Sequence, residues 1–256
     1  MLIDTHAHLS LPQFDKDRTE VIKRARDAGI KHIITVSTDS DDCRKAVALA
    51  EEHDFISAAV GIHPHDAKTI NAETYSLLRE FAADDNVVAI GEIGLYFYRN
   101  LSLRETQTHH FREQLRLARE VSLPVIIHDR EAHQEVLKIL QEEKAETMGG
   151  VIHCFSGDWE MAQACLDMGF YISIPGTITF KKSEAYHKLV RDLPLDRMLL
   201  ETDCPFLTPH PFRGKRNEPA YVQYVAKAVA EIKRLECEAL AEITTQNAQK
   251  LFNLPH

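Results

Sequence analysis

Short aliphatic and β-branched runs alternate along the chain with longer stretches whose apolar residues recur at helical spacing. Eight runs predict strands, at residues 2–5, 32–36, 56–60, 87–90, 124–127, 150–152, 171–174 and 198–200. Several are apolar almost throughout, as in parallel strands covered on both faces. Between them, residues 17–28 and 159–168 read as helices, and Gly29 and Gly169 follow as left-handed stops. Ser156 or Asp158 is placed to cap the second of these. Within residues 104–121, Phe111, Leu115 and Ala118 share one helical face, and residues 220–252 read as closing helices. Eight strands alternating with helices predict an α/β fold, a (β/α)8 TIM barrel occupying residues 1–256 as a single domain. An open doubly wound sheet is the alternative. Polar residues at the same place after successive strands favour the barrel, where such positions converge on one mouth.

Those polar residues carry the candidate chemistry. His6 and His8 follow the first strand, Glu92 the fourth, His128 the fifth, His153 the sixth and Asp203 the eighth. Residues two apart in an extended segment point the same way, so His6 and His8 can share an ion. Imidazoles and carboxylates suit zinc, manganese, magnesium and related divalent ions. Six donors exceed what one tetrahedral ion takes, which predicts two divalent ions per chain. Singly, each residue has a plainer reading: an incidental His-x-His, a core histidine, or a buried Glu92 paired with an arginine. His63 and His65 follow the third strand and are expected to contact substrate rather than metal, with a plain loop role open for His65. His32, His53, His109, His110, His133, His187, His210 and His256 lack the strand-end register and read as surface or packing residues.

Length and composition narrow the class. The chain has 256 residues, 44% hydrophobic and 27% charged, which excludes disordered, collagen-like and coiled-coil chains. A net charge of −9 excludes a strongly basic nucleic-acid binder at whole-chain level, but not a local basic patch. Arg213, Lys215 and Arg216 form such a patch after the eighth strand and suit a phosphate group, a solvated face being the bland reading. Tyr96 to Arg99 after the fourth strand offer stacking surfaces for bases, or simply pack a loop. Five scattered cysteines with no CxxC pair fit a reducing compartment, hence a cytoplasmic expectation. Cys154 and Cys204 read as small buried hydrophobes. The first residues lack the pattern of a signal peptide, and no apolar run reaches the length of a membrane span. No G-x-S-x-G elbow, phosphate-binding loop or dinucleotide fingerprint occurs.

The segments Ile3-Asp4-Thr5-His6-Ala7-His8-Leu9, Gly61-Ile62-His63-Pro64-His65 and Ala89-Ile90-Gly91-Glu92-Ile93-Gly94-Leu95 occur in this order. Leu123 to His128, His153 to Gly157, Leu200 to Asp203 and Arg213 to Pro219 complete the set. Together they resemble the TatD family of metal-dependent deoxyribonucleases over essentially the whole chain. The resemblance implies a TIM barrel of the metal-dependent hydrolase superfamily. It implies one metal held by His6, His8, Glu92 and Asp203, and another by Glu92, His128 and His153. It implies DNA as substrate, at single strands or 3′ ends, with 3′–5′ exonuclease activity. The family usually has Asp where this chain has Tyr96.

From the residues, three functions compete. The first is a two-metal phosphodiesterase in which Asp203, with Glu92, does the proton and metal chemistry and Arg213, Lys215, Arg216, His63, His65 and Tyr96 contact substrate. The second is an amidohydrolase acting on a small amide, ester or lactone. The third is an inactive metal-binding scaffold. No obligate protein partner and no membrane association is expected.

Overall fold

The computed structural model describes residues 1–180 and 184–255. The strands are β1 (Leu2–Ala7), β2 (Ile30–Val36), β3 (Ile56–Val60), β4 (Val87–Tyr96), β5 (Val125–Arg130), β6 (Gly150–Ile152), β7 (Tyr171–Ile174) and β8 (Met198–Leu200). They form one eight-stranded sheet in sequential order. The helices are α1 (Arg18–Asp27), α2 (Ser40–Glu52), α3 (Ala72–Phe81), α4 (Arg104–Val121), α5 (His133–Glu142), α6 (Trp159–Asp167), α7 (Glu184–Asp192), α8 (Val222–Lys233) and α9 (Cys237–Phe252). Sequential parallel strands, each followed by helix, make this the (β/α)8 barrel.

Local sequence accounts for the helix ends. Asp158 is the cap of α6, its carboxylate accepting the Met161 N–H at 2.9 Å, which decides between the two candidates there. Gly29 and Gly169 take φ of 79° and 80°, the left-handed stops their positions predict. Phe111, Leu115 and Ala118 of α4 are buried as their shared face predicts.

The chain falls into two compact units. The first comprises the described residues of Met1–Thr35 and Ser173–His256. Here β1 and the chain beyond β8 meet: Ala7 bridges Cys204 in parallel. The His8 N–H donates to the Cys204 carbonyl at 2.8 Å, and the Asp203 N–H to the His6 carbonyl at 2.9 Å. α9 packs against β1 and β8. Asn247 on α9 donates to the carbonyls of Leu195 (2.7 Å) and Met198 (2.9 Å), which pins the start of β8.

The second unit is Val36–Ile172. Its centre is the β4–β5 ladder, in which Ile90 faces Val125 and Ile93 faces Ile127. Three residue steps on β4 thus match two on β5, a bulge that re-aims the intervening Glu92. Gly94 has φ 138°, and a Cβ there would overlap the His128 carbonyl oxygen. Glycine at that position lets β4 lie close enough to β5 to bring Glu92 to His128.

The ladder continues through Gly94–His128, Leu95–Asp129 and Tyr96–Arg130. As a result β4 and β5 run past their predicted ends, as β1 does through the pairing of Ala7 with Thr35 of β2, and His6, Glu92 and His128 lie inside strands rather than after them. Among the described residues no helix is long and apolar enough to cross a membrane.

Candidate metal centre

Three donors converge in the first unit. His6 and His8, two apart on and just beyond β1, bring their Nε2 atoms to 3.2 Å with rings at 77°. Asp203 Oδ1 lies 3.4 Å from His8 Nε2 and 3.9 Å from His6 Nε2. All three side chains are largely withdrawn from solvent, Asp203 retaining 13% exposure. Asp203 takes φ 55°, so its side chain leaves the β8 loop in a direction an extended residue would not give. Asp4 and Thr202 hold this arrangement from behind. The buried Asp4 carboxylate accepts the Thr202 N–H (2.8 Å) and hydroxyl (2.6 Å) and the His6 N–H (3.4 Å). Asn217 ties the same loop down, donating to the carbonyls of Thr202 (2.8 Å) and Phe206 (2.6 Å).

In the second unit the hub is Glu92 Oε1. His153 Nε2 lies 2.8 Å and His63 Nε2 3.7 Å away, and His128 Nδ1 is in direct contact with it. His128 Nδ1 and His153 Nε2 are 3.1 Å apart. Burial acts to raise the Glu92 pKa, but the imidazoles of His153, His128 and His63 outweigh it and hold the carboxyl well below its usual range. His63 Nδ1 accepts the His65 N–H at 3.1 Å. Its proton in the neutral tautomer is therefore on Nε2, which makes it a donor toward Glu92 rather than a lone-pair ligand. His63, expected to contact substrate, thus stands beside Glu92 and His128 at the same cluster.

The donor sets fit divalent ions. His6, His8 and Asp203 each offer an atom within 4.8 Å of the others. His128 and His153 meet at Glu92 Oε1 with their nitrogens 3.1 Å apart, and His63 stands within 4.8 Å of Glu92 and His128. Among the described residues the buried Nε2 of His128 has no hydrogen-bond partner. Imidazole and carboxylate donors of this kind suit zinc, manganese and similar ions.

Tyr96, half-buried at the end of β4, lies face-on to His128 (centroids 5.4 Å, 25°) and edge-on to His65 (4.1 Å). Burial, then the neighbouring His128, lowers the pKa of His65. Two buried glutamines, absent from the sequence reading, position this side. Gln107 accepts the Tyr96 N–H (2.8 Å) and donates to the carbonyls of Tyr96 (3.2 Å) and Ser102 (2.8 Å). Gln114 accepts the Ile62 N–H (2.8 Å) and donates to the Ile62 carbonyl (3.2 Å). The usable signal was two amides on the apolar stripe of α4, where Gln107 and Gln114 alternate with Phe111 and Ala118. Asp4 and Asn217, which hold the donors from behind, lie within the motifs that carry the family resemblance.

The basic segment divides. Arg213 lies over the Phe180 ring at 3.9 Å and Lys215 Nζ lies 5.7 Å from the Phe212 ring, both exposed. Arg216 departs from the phosphate-binding expectation. Its two terminal nitrogens each reach Asp17 at 2.7 Å, one also donates to the Gln13 carbonyl at 2.7 Å, and the group sits over Phe14. A guanidinium engaged on both arms anchors its loop and has little left for a phosphate.

Of the remaining histidines, His32 is buried in β2, His133 pairs with Asp129 at 2.6 Å and His110 with Tyr75 at 2.8 Å. His187 pairs with the Ile178 carbonyl at 2.8 Å. His256 lies outside the described residues. Cys204 is buried as expected, whereas Cys154 is only half-buried.

The sequence profile of TatD related DNase matches residues 3–253. The chain is 49% identical to an uncharacterized metal-dependent hydrolase, YabD, of Bacillus subtilis, over 99% of this chain and 100% of that protein. It is 39% identical to the 3′-5′ ssDNA/RNA exonuclease TatD of Erwinia tasmaniensis, over 99% and 100% of the two chains. The crystal structure of YjjV, a TatD homologue from Escherichia coli, superposes with TM-score 0.94 at 32% identity, covering 99% of this chain and 98% of the other. Matching profile, relatives and fold over nearly the full length establish that the chain belongs to the TatD related DNase family of metal-dependent hydrolases.

Proposed function

We propose that the chain is a divalent-metal-dependent phosphodiesterase that shortens single-stranded DNA from its 3′ end. The observation that carries this reading is the donor cluster His6–His8–Asp203 together with His128 and His153 meeting on Glu92, in a chain that also presents an exposed basic loop. The naming of the Erwinia relative as a 3′-5′ ssDNA/RNA exonuclease supports the substrate class and polarity. Each cluster is assigned one divalent ion, with magnesium, manganese and zinc the candidates.

When bound, such ions supply Lewis acidity to a phosphoryl oxygen and acidity to a water. The protein's part is to orient and to move the proton. Asp203 keeps 13% of its side chain accessible, the most exposed carboxylate of the two clusters, and accepts the proton of the attacking water. Glu92 stays ionised because three imidazoles face it, so its oxygens remain acceptors at neutral pH. His63, with its proton on Nε2, donates to a phosphoryl oxygen, and His65 and Tyr96 beside it offer ring faces to a base. Arg213 and Lys215 hold a neighbouring phosphate, and Arg216 fixes their loop.

The test uses chelated and then metal-reloaded protein with 5′-labelled single-stranded DNA. The expected product is a metal-dependent ladder growing from the 3′ end. Absence of cleavage by protein carrying two ions per chain refutes the nuclease reading. Salt-insensitive turnover of a neutral ester or lactone by the same preparation would establish the small-molecule alternative.

A further inference from the structure

A groove of about 810 Å³ lies in the first unit, away from the donor cluster, between the turn Gly176–Thr179, α7, α8 and the loop after β8. Its charge is opposite to that of the protein. Arg191, Lys227 and Arg234 line it, against a single carboxylate, Glu231, on a chain of net charge −9. All three cations are exposed, and among the described residues none of them enters an ion pair. Unpaired like charges gathered in a concave wall repel one another, an arrangement that favours a polyanion.

Aromatic rings lie in the groove and beside it, next to cations. Tyr224 lines the groove and meets Phe212 edge-on at 5.2 Å. Phe212 stacks on Tyr221 at 4.5 Å and 9°, with Lys215 above it at 5.7 Å. Phe180 lies beneath Arg213 and 6.1 Å from the His210 ring. A positively charged groove with ring platforms is the chemistry of single-strand binding: phosphates go to the cations, bases to the rings.

The groove is also tied to the donor cluster through one short segment. Asp203 and His210 are seven residues apart, so at most about 25 Å of chain separates them. Near its start, Phe206 is exposed and lies 6.1 Å from the His8 ring. At its far end the His210 N–H donates to Thr179 Oγ1 at 2.9 Å, which fixes the loop to the groove wall.

We propose that this groove is a strand-binding channel, in which Arg191, Lys227 and Arg234 hold the phosphates of a single-stranded nucleic acid upstream of the linkage being cut. This rests on the phosphodiesterase reading and adds a second, non-reacting contact zone to it. It predicts that affinity grows with strand length beyond what the reacting nucleotides supply.

The test compares metal-loaded wild type with the combined variant Arg191→Ala, Lys227→Ala, Arg234→Ala. The probes are a fluorescent phosphorothioate oligothymidylate of about 20 nucleotides, longer than the roughly 4–16 nucleotides of common single-strand sites, and a trinucleotide of the same kind. Bis(p-nitrophenyl) phosphate, too small to reach the groove, reports the donor clusters. Three lost phosphate contacts should lower the slope of log affinity against log salt by about 2. We expect affinity for the long strand to fall 10- to 100-fold, with trinucleotide binding and turnover of the small diester unchanged. Should the triple variant be poorly folded, the single charge reversal Lys227→Glu must still weaken long-strand binding at least fivefold. Undiminished long-strand binding in these variants overturns the channel while leaving the nuclease reading intact. A wild type that turns over the small diester but neither binds nor cuts either strand overturns the polynucleotide reading, and the channel with it.

Discussion

Arg216 separates a structural role from a substrate role within the basic loop. Replacing it by alanine removes a two-pronged ion pair to Asp17, a hydrogen bond to the Gln13 carbonyl and a cation placed 4.6 Å from the Phe14 ring. The ion pair is about one-third exposed on both sides, so solvent and salt leave it at most about 1 kcal/mol. Arg24, 3.5 Å from Asp17, recovers part of that. The charged hydrogen bond contributes roughly 0.5–1 kcal/mol after the same discount, and the cation over a fully buried ring about 0.5–1 kcal/mol. The expected loss is about 2 kcal/mol, which for a chain of this length lowers Tm by about 4–8 °C. Circular-dichroism melts of Arg216→Ala and Asp17→Asn, alone and together, measure it. Sharing one interaction, the two substitutions should cost less together than the sum of their single effects. The pH dependence has a definite sign. The hydrogen bond from Arg216 holds the Asp17 carboxyl below its ordinary value of 3.8. The stabilisation is therefore complete above about pH 4–5 and is lost as the pH falls through the depressed folded value, so the melting gap between wild type and Arg216→Ala narrows in acid. An unchanged Tm combined with a tenfold rise in KM for an oligonucleotide would falsify this account and return Arg216 to the phosphate.

Other consequences are equally direct. Asp203→Asn should lower turnover of single-stranded DNA by about 10²–10⁴-fold with Tm nearly unchanged; a fully active, metal-loaded variant would remove Asp203 from the proton step. Glu92→Ala should bind fewer ions per chain by elemental analysis, because the acceptor facing His63, His128 and His153 is gone; full metal content would show that Glu92 is not a ligand. Gln114→Leu leaves the Ile62 N–H and carbonyl without their buried partner and should cost about 2–4 kcal/mol, read as a lower urea midpoint at unchanged m; a neutral result would mean the loop after β3 does not depend on that amide. Tyr96→Ala should raise KM for an oligonucleotide about tenfold through one lost stacking contact while sparing the small diester; equal effects on both substrates would make Tyr96 a support for His128 instead.

Much of the barrel was legible in the chain because its signals are local. A parallel strand buried on both faces is an unbroken apolar run, and Gly29 and Gly169 mark helix ends wherever the rest of the molecule lies. The ligand candidates were legible for the same reason: β1 alternation aims His6 and His8 alike, and the other donors follow apolar runs. Strand lengths were not legible. β4 extends to Tyr96 only because β5 supplies hydrogen bonds as far as Arg130, and no local residue records that pairing. The division of labour in the basic segment is also tertiary. Arg213, Lys215 and Arg216 are near neighbours in the chain, yet only Arg216 meets Asp17, 199 positions away. Gln107 and Gln114 share the apolar stripe of α4 with Phe111 and Ala118, but only the arrival of Tyr96 and Ile62 beside them gives their buried amides a partner. The sequence by itself determined the order of elements and the kinds of donor. Only the folded chain decided which charges are spent on one another and which remain for a ligand, because ion pairs and buried hydrogen bonds depend on distances that sequence separation does not constrain.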